Sequence, residues 1–405
     1  MLNKVFSHFH DSDGNFVEQF QTTGFDARTF ELYLYAYFHY SGYEIERNFD
    51  RPDFIIQKDG FKVAIEATTT NPTRGKLDNE NSEAITKEEL EHKLFQELPI
   101  KFGSPLFSKL KKRYWELDQC TEIPFVIAIE AFHDIDSLKY SSSSLVQYLY
   151  GEREKGYLDE NGKLVVESEK IDQHKVGNKK IPSGFFYQPN VENISAVIFS
   201  NSGTIAKFKR MGYQEGLYTT HMKILRRGFA YDYNPDALSP EYFVYDLDDR
   251  ANESWGEGLV VCLNPNAKYP IPHDFFVNAA QYYVENGKTF ADIMGFHPYT
   301  SETFTVSSEY NRQPLPNGIK ALSKSELDNL ISNIPVPPFA TEIEWYITIG
   351  DEIIGLILLD ESDKTFNFVC LQKDGTLYKA VDIEIDFERL IEVRSKLFER
   401  MLRYI

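Results

Sequence analysis

Residues 51–70 read RPDFIIQKDGFKVAIEATTT, and this stretch decides the fold. Asp59 and Gly60 stand between two apolar runs, and an Asp-Gly pair in that setting is a strong signal for a two-residue β-hairpin loop. Counting outward from this turn predicts that Phe54 lies opposite Ile65 and that Asp53 lies opposite Glu66. The stretch is therefore predicted to form two antiparallel strands that bring two acids together.

The two faces of this predicted hairpin differ in chemistry. Side chains alternate between the faces of a strand, so one face is wholly apolar and belongs to a core. The other face carries both acids, at the end of the hairpin farthest from the turn. The apolar face consists of Phe54, Ile56, Val63, Ile65 and Ala67.

Two carboxylates placed opposite each other repel. Their Cβ atoms would lie about 4.5–5.5 Å apart, and like charges at that spacing destabilise a sheet. A divalent cation, a shared proton or a nearby lysine or arginine can offset the repulsion. A hard cation such as Mg²⁺, held by one or two carboxylates and substrate phosphate, is what phosphodiester cleavage uses. The alternative is two solvated acids, with Asp53 a turn residue after Pro52.

The surrounding sequence predicts a mixed sheet flanked by helices. A helix is expected over residues 28–41, with Asp26 as its N-cap and Gly42 at its end. A charged helix is expected over 86–97, and a second one from Ser104, with Pro105 in its first turn. Apolar runs predict strands, beside those of the hairpin, at 43–47, 125–131, 194–200 and 258–264.

The order helix, strand, Pro-Asp, strand, Glu-x-x is similar to the core of the PD-(D/E)XK nuclease superfamily, the restriction-endonuclease-like fold. Pro52-Asp53 matches the first part of that motif, and Glu66-Ala67-Thr68 occupies the position of the second. Glu31 corresponds to an acidic residue that many members carry in the preceding helix. The resemblance covers roughly residues 20–135.

The resemblance implies a site whose metal ligands are Asp53 and Glu66, with Glu31 assisting and Mg²⁺ or Mn²⁺ as the cofactor. The sequence departs from the motif at Thr68, which stands where the family has a lysine that orients the attacking water and stabilises charge. Variants of this kind either recruit a lysine from elsewhere or lose activity. The candidates for a replacement lysine are Lys93 and Lys109, on the two following helices.

The second of these helices also carries a basic cluster. Lys109, Lys112 and Arg113 are predicted to share one helix face, where they could bind a nucleic-acid backbone. The expected helix N-terminus at Ser104 would favour phosphate as well. The alternative is a solvated outer face of an ordinary helix.

Composition narrows the class of protein. The chain of 405 residues has a formal net charge of -19, which argues against a general, non-specific nucleic-acid binder but not against a nuclease. It lacks an apolar run that could serve as a signal peptide or span a bilayer, and its three cysteines have no metal-ligand spacing. These features predict a cytoplasmic protein without a membrane partner.

Two domains are expected. Residues 1–335 would form the nuclease-like α/β domain, with a core over about 20–205 and a loop-rich extension over 206–335. Residues 336–405 would form a small α+β module of four strands and one helix. This module is expected to serve interaction, either with another copy of the chain, as a homo-oligomer, or with a protein partner.

Two functional hypotheses follow from the sequence. The first is a metal-dependent endonuclease, a hydrolase that cleaves DNA or RNA in defence against foreign nucleic acid or in repair. The second is a catalytically inactive nuclease-like module that acts as a nucleic-acid-binding or protein-interaction scaffold. A lysine or arginine cation close to Asp53 and Glu66 would favour the first hypothesis.

Overall fold

The computed structural model divides the chain into two compact units, Met1–Val306 and Ser307–Ile405. Beyond Ser307 it describes the backbone of short strands alone, so the predicted terminal helix lies outside the described residues. In the rest of the chain the described residues are 1–11, 14–71, 86–133, 137–139, 142–217, 222–248 and 252–307.

The α-helices of the first unit include two long ones. The predicted helix at residues 28–41 is present, but it begins earlier, with Gly24 as its N-cap and Asp26 in its first turn. The α-helices of the described part are α1 (Leu2–Phe6), α2 (Phe16–Phe20), α3 (Phe25–Tyr40), α4 (Lys87–His92), α5 (Leu98–Lys111), α6 (Ser143–Tyr150) and α7 (Ile205–Gln214).

The strands of the first unit confirm the predicted apolar runs and add several more. They are β1 (Glu44–Glu46), β2 (Phe54–Lys58), β3 (Phe61–Thr70), β4 (Phe125–Ala131), β5 (Glu152–Leu158), β6 (Leu164–Lys170), β7 (Gln173–Val176), β8 (Lys179–Pro182), β9 (Ala196–Ser200), β10 (Met222–Ala230), β11 (Glu241–Asp246), β12 (Val260–Leu263), β13 (Ala280–Glu285), β14 (Lys288–Asp292) and β15 (Pro298–Ser307).

The first unit is an α/β structure built on a mixed sheet of eight strands, in the order β1-β2-β3-β4-β9-β12-β13-β14. The predicted hairpin register is confirmed: Phe54 pairs with Ile65, and Gln57 pairs with Lys62. Asp59 and Gly60 both have positive φ, as a tight hairpin turn requires. Strands β3, β4 and β9 are mutually parallel, so their carboxyl ends meet at one edge of the sheet.

Helices cover both faces of this sheet. The face that carries Phe54, Ile56, Val63 and Ile65 packs in one buried core with the aromatic residues of α3. The opposite face, which carries Ile55 and Ala64, packs in a second core with α5 and α6. Because Glu66 alternates with Ile65 along β3, it lies on the face covered by α5.

The helix predicted to begin at Ser104 in fact begins at Leu98, and Pro105 lies inside it. Leu98, Phe102, Leu106 and Leu110 are buried at four-residue intervals, and this continuous apolar stripe packs the helix through the proline. Ser104 donates a hydrogen bond to the carbonyl of Ile100 and caps nothing. The expected phosphate-binding helix N-terminus at Ser104 is therefore wrong.

The expectation of a loop-rich extension after residue 205 is also wrong within the described residues. Helix α7 and strands β10 to β15 lie there. Strands β12 to β14 complete the large sheet, and β11-β10-β15 form a separate sheet of three strands. Two further hairpins, β5-β6 and β7-β8, project from the region between β4 and β9.

The second unit contains the four predicted strands and, among the described residues, two further short ones. All of the described strand pairs are antiparallel, and they form one sheet. The strands are β16 (Ile319–Lys320), β17 (Glu342–Ile343), β18 (Ile347–Ile349), β19 (Glu352–Asp360), β20 (Thr365–Gln372) and β21 (Leu377–Glu384).

Candidate active site at the carboxyl end of β3

Glu66 lies in the second half of β3, just beyond the part that pairs with β2, and is 6% exposed. Its Oε1 atom accepts two hydrogen bonds, one from the Lys109 ammonium and one from the Tyr114 hydroxyl, each 2.6 Å long. Its Oε2 atom is buried and has no hydrogen-bond partner. The carboxylate is therefore fixed through one oxygen, and the other is free to bind a ligand.

Asp53 lies just before β2, next to Glu66. Its Oδ2 atom accepts a hydrogen bond of 2.7 Å from the backbone N–H of Ala67. Burial, together with the charges of Glu66 and Glu31, raises the pKa of Asp53 to about 7, against the opposing effects of the Ala67 N–H and Lys109. The structure thus brings Asp53, Glu66, Glu31 and Lys109 within electrostatic reach of one another.

Glu31, the third predicted acid, is buried in α3 and has two arginine partners. Its two oxygens accept hydrogen bonds from Arg28 and Arg47, one from each. The Arg47 guanidinium is itself held between two rings, 3.8 Å from the centroid of Phe9 and 4.9 Å from that of Phe54. Because both oxygens are occupied, Glu31 influences the site through its charge and is not positioned as a metal ligand.

Thr68 follows Glu66 by two residues and lies on the same face of β3, half-buried. It pairs with Ile129 of β4 and offers the site a hydroxyl rather than a cation. The cation comes from α5 instead, through Lys109. Lys93, the other candidate, lies in a π-helical segment, Lys93–Glu97, which precedes α5.

The other two members of the predicted basic cluster differ from Lys109, although the Lys112 ammonium lies 5.8 Å from the centroid of the Tyr114 ring, which the Lys109 ammonium also approaches, at 5.9 Å. Helix α5 ends at Lys111, and Arg113 has the left-handed φ of 50°, so Arg113 does not continue the helix face that carries Lys109. Arg113 is exposed and forms an ion pair of 2.5 Å with Glu116. Lys112 is exposed, whereas Lys109 is turned inward to Glu66. The prediction of one shared face is wrong because the helix ends between them.

Two polar groups of the sheet region, on opposite faces of the sheet, were missed by the sequence analysis. Tyr114 is buried, and its hydroxyl contacts Glu66. Glu130 lies in the apolar run of β4, is fully buried, and accepts a hydrogen bond of 2.8 Å from the Gly203 N–H. Burial raises the pKa of Glu130 well above its usual range. The signal for Glu130 was an acid within an otherwise apolar strand.

The donor set at Asp53 and Glu66 fits a hard divalent cation. Both side chains supply carboxylate oxygens, and the buried Oε2 atom of Glu66 has no other partner. Among the described residues, no group of three or more His, Cys, Asp or Glu side chains forms a metal site. Mg²⁺ is compatible with two carboxylates, because it commonly keeps waters and substrate phosphates as its remaining ligands.

Comparison with protein-family models, with curated proteins and with solved structures finds no match to this chain. Within the part of the chain that the structure describes, none of the helices combines the length and the apolar composition that a membrane span requires.

Proposed function

We propose that the protein is a divalent-metal-dependent phosphodiesterase that cleaves DNA or RNA, with a restriction-endonuclease-like fold in its first unit. The observation that carries this proposal is the ion pair between Lys109 and Glu66, 2.6 Å long, beside Asp53. Lys109, on the neighbouring helix α5, supplies the cation that Thr68 cannot provide.

In this proposal Asp53 and Glu66 hold Mg²⁺ or Mn²⁺. The Asp53 carboxylate is oriented by the Ala67 N–H, and that of Glu66 by Lys109 and Tyr114. Groups that orient a ligand through its second oxygen raise metal affinity, because the ligand is already in place before the metal arrives. When bound, the metal would polarise the phosphate and lower the pKa of water at the site.

Lys109 serves the reaction itself. Its ammonium is largely buried and lies at the hydrogen-bonded oxygen of Glu66. From there it would donate a hydrogen bond to the attacking water or to a phosphate oxygen as negative charge builds up in the transition state. Water would form the new bond to phosphorus and give up a proton to the solvent, the bond to the leaving oxygen would break, and that oxygen would take up a proton from the solvent.

The inactive-scaffold hypothesis predicts no cation at the acid pair. Lys109 lies there, and this position favours the catalytic alternative. The resemblance to PD-(D/E)XK nucleases and the mixed sheet with helices on both faces support the same proposal. The hairpin register supports it too, because it places the first acid of the motif beside the second.

The test is cleavage of labelled DNA and RNA with Mn²⁺ or Mg²⁺ by the purified full chain. Asp53→Ala and Glu66→Ala are each expected to abolish cleavage, because each removes one of two metal ligands. Asp274→Ala, at an exposed aspartate, is the matched control and should cut like the parent. Cleavage by both site variants at the parental rate would overturn the assignment.

A further inference from the structure

A second feature of the first unit is a surface on which lysines occur without acids. Helix α5 with Lys112 carries four lysines, at positions 101, 109, 111 and 112, and has no Asp or Glu. The β7-β8 hairpin carries Lys175, Lys179 and Lys180, again without an acid. The whole chain has 62 acidic residues against 43 lysines and arginines, so an ordinary solvated face would be expected to include acids.

The helix and the hairpin are in direct contact. The Lys179 ammonium donates a hydrogen bond of 2.8 Å to the Ser104 hydroxyl of α5. The hairpin also contacts the segment that leads into α5, through a hydrogen bond of 2.9 Å from the Lys175 N–H to the Gln96 side chain. The lysines of both elements therefore form one basic surface that wraps around the hairpin: Lys179 lies on the hairpin face toward α5, and Lys175 and Lys180 lie on the opposite face.

Five of these lysines are exposed and not neutralised. Lys111, Lys112, Lys175, Lys179 and Lys180 are all exposed, and none forms an ion pair with a carboxylate among the described residues. Lys175 and Lys180 lie directly opposite each other on β7 and β8. Like charges in that position destabilise a hairpin, and a bound anion would relieve the repulsion.

An exposed aromatic ring lies among these charges. Phe107 of α5 is 44% exposed, and the Lys111 ammonium lies 4.6 Å from the centroid of its ring. Phe107 follows Ser104 by three residues, which places it on the same side of the helix as the contact with Lys179. Lysines interleaved with an exposed ring are the combination that binds an unpaired nucleic-acid strand, through phosphate contacts and base stacking.

We infer that Lys111, Lys112, Lys175, Lys179, Lys180 and Phe107 form a basic surface that binds a single-stranded segment of nucleic acid, with Phe107 stacking on a base. This inference rests on the proposed function, since the strand would be the substrate. Helix α5 links the two regions: Lys109 faces Glu66, and the exposed side of the same helix belongs to the basic surface. On a chain with a net charge of -19, such a surface would also direct where a polyanion can approach.

The test is the affinity for a labelled single-stranded oligonucleotide, as DNA and as RNA, measured by fluorescence anisotropy in EDTA over a range of salt concentrations. The triple variant Lys175→Gln/Lys179→Gln/Lys180→Gln is expected to bind at least tenfold more weakly. The slope of log affinity against log salt should fall by roughly two, since each phosphate contact to a single strand contributes about 0.7.

The matched control removes the same charge from the other hairpin. Lys155, Lys163 and Lys170 of the β5-β6 hairpin are also exposed, but six acids accompany them: Glu152, Glu154, Asp159, Glu160, Glu167 and Glu169. Lys155→Gln/Lys163→Gln/Lys170→Gln should leave the affinity and the slope unchanged or only slightly lowered. Phe107→Ala should weaken binding roughly fivefold or more without changing the slope.

The outcomes separate this inference from the proposed function. A protein that binds in EDTA through these lysines but never cleaves would retain the basic surface and overturn the nuclease proposal. A protein that cleaves, while the triple variant matches the parent in affinity and slope, would overturn the basic surface alone. Absence of binding by the parent in EDTA at low salt, or equal effects of the two triple variants, would overturn the inference as well.

Discussion

Glu253 and Glu66 are both buried and paired with cations, and the two glutamates differ in how completely their oxygens are satisfied. Glu253 lies in the loop before β12 and accepts hydrogen bonds through both of its oxygens. Glu66 accepts hydrogen bonds through one oxygen only, and its buried second oxygen has no partner. We call the arrangement at Glu253 a closed cluster, because both of its oxygens are satisfied within the protein. We call the arrangement at Glu66 an open site, because one of its oxygens can still bind a ligand.

The cluster at Glu253 contains more positive than negative charge. Lys207 and Arg210 of α7 both contact Glu253, and Arg226 of β10 lies 3.5 Å from it and also contacts Glu257. Burial opposes ionisation of Glu253, but the three cations hold its pKa well below its usual range. Burial lowers the pKa of Lys207 to about 8, although the charges of Glu253 and Glu257 raise it. This cluster joins α7 to the three-stranded sheet.

The site at Glu66 has the opposite balance. One lysine faces two acids, and Glu31 is already paired with arginines. Burial raises the pKa of Asp53, and the charges of Glu66 and Glu31 add to that rise, which reflects the excess of negative charge. A buried ion cluster that stabilises a fold satisfies its charges internally, whereas an excess of one sign is suited to a ligand of the other.

The largest expected effect on stability is at the closed cluster. Glu253→Gln should lower the free energy of unfolding by roughly 3–5 kcal/mol, because it leaves buried cations without their counter-charge. Glu66→Gln should cost less, because Asp53 still balances Lys109. Urea unfolding measures both, with Glu302→Gln, the half-exposed partner of Arg227, as a control expected to change stability by about 1 kcal/mol or less. A larger loss for Glu66→Gln than for Glu253→Gln would reverse the comparison.

The next effect concerns catalysis. Lys109→Met should lower the rate of Mn²⁺-dependent cleavage roughly 100- to 1,000-fold, about 2.7–4 kcal/mol in the barrier, because it removes a charge that stabilises the transition state. Steady-state cleavage kinetics measure it, and Lys288→Met, at an exposed lysine of β14, is the control. A Lys109→Met protein as fast as the parent would remove the replacement lysine from the mechanism.

The ionisation of Asp53 predicts how stability depends on pH. The folded-state pKa of about 7 lies above the ordinary aspartate value of 3.8, so the folded protein binds the proton more tightly than the unfolded chain. The stability that this proton provides is fully present below pH 4, decreases as the pH rises toward 7, and is absent above it. Asp53→Asn should therefore be more stable than the parent at pH 8, on the order of 2–4 kcal/mol.

This difference should shrink as the pH falls toward 4. Urea unfolding in EDTA across that range measures it, and the exposed Asp274→Asn serves as the control. If Asp53→Asn is less stable than the parent at pH 8, the negative charge of Asp53 is already balanced in the folded protein, and the excess of negative charge at the site is refuted.

The smallest expected effect is a loss of Mn²⁺ affinity when Tyr114, which orients Glu66, loses its hydroxyl. Tyr114→Phe removes one of two hydrogen bonds to Glu66 and should weaken Mn²⁺ binding roughly tenfold, about 1.4 kcal/mol. Tyr150→Phe is the matched control, because the buried Tyr150 hydroxyl bonds to the carbonyls of Leu263 and Tyr282, away from Glu66. Calorimetric titration measures the Mn²⁺ affinity of both variants. If Tyr114→Phe binds Mn²⁺ as tightly as Tyr150→Phe, Tyr114 contributes packing alone.

The sequence predicted the hairpin and its two acids because local rules determine them. An Asp-Gly turn and a period of two set the register of β2 and β3 without help from the rest of the chain. The position of Lys109 depends on how α5 packs across the sheet, and spacing alone could not distinguish it from Lys93. The contact of Tyr114 with Glu66 depends on the chain turning after the end of α5, at Arg113.

Apart from β12, the strands after residue 205 were missed for a different reason. Strands such as β10 and β15 carry charged or hydroxyl side chains among their apolar ones, so the apolar alternation that predicts a strand is weak there. One local signal was present: Asn286 and Gly287 both have positive φ and form the turn between β13 and β14. The cluster at Glu253 was not predictable, because its cations come from α7 and β10 and its acid from a later loop.

The most direct test of the open site is thermal unfolding of the parent, Asp53→Asn and Glu66→Gln with and without millimolar Mn²⁺, in the absence of nucleic acid. A metal that binds only the native state stabilises it by about 2.7 kcal/mol at a hundredfold excess over its dissociation constant. A melting temperature that rises with Mn²⁺ in the parent and in neither variant is the predicted result. No rise in the parent, or an equal rise in all three proteins, would contradict the account.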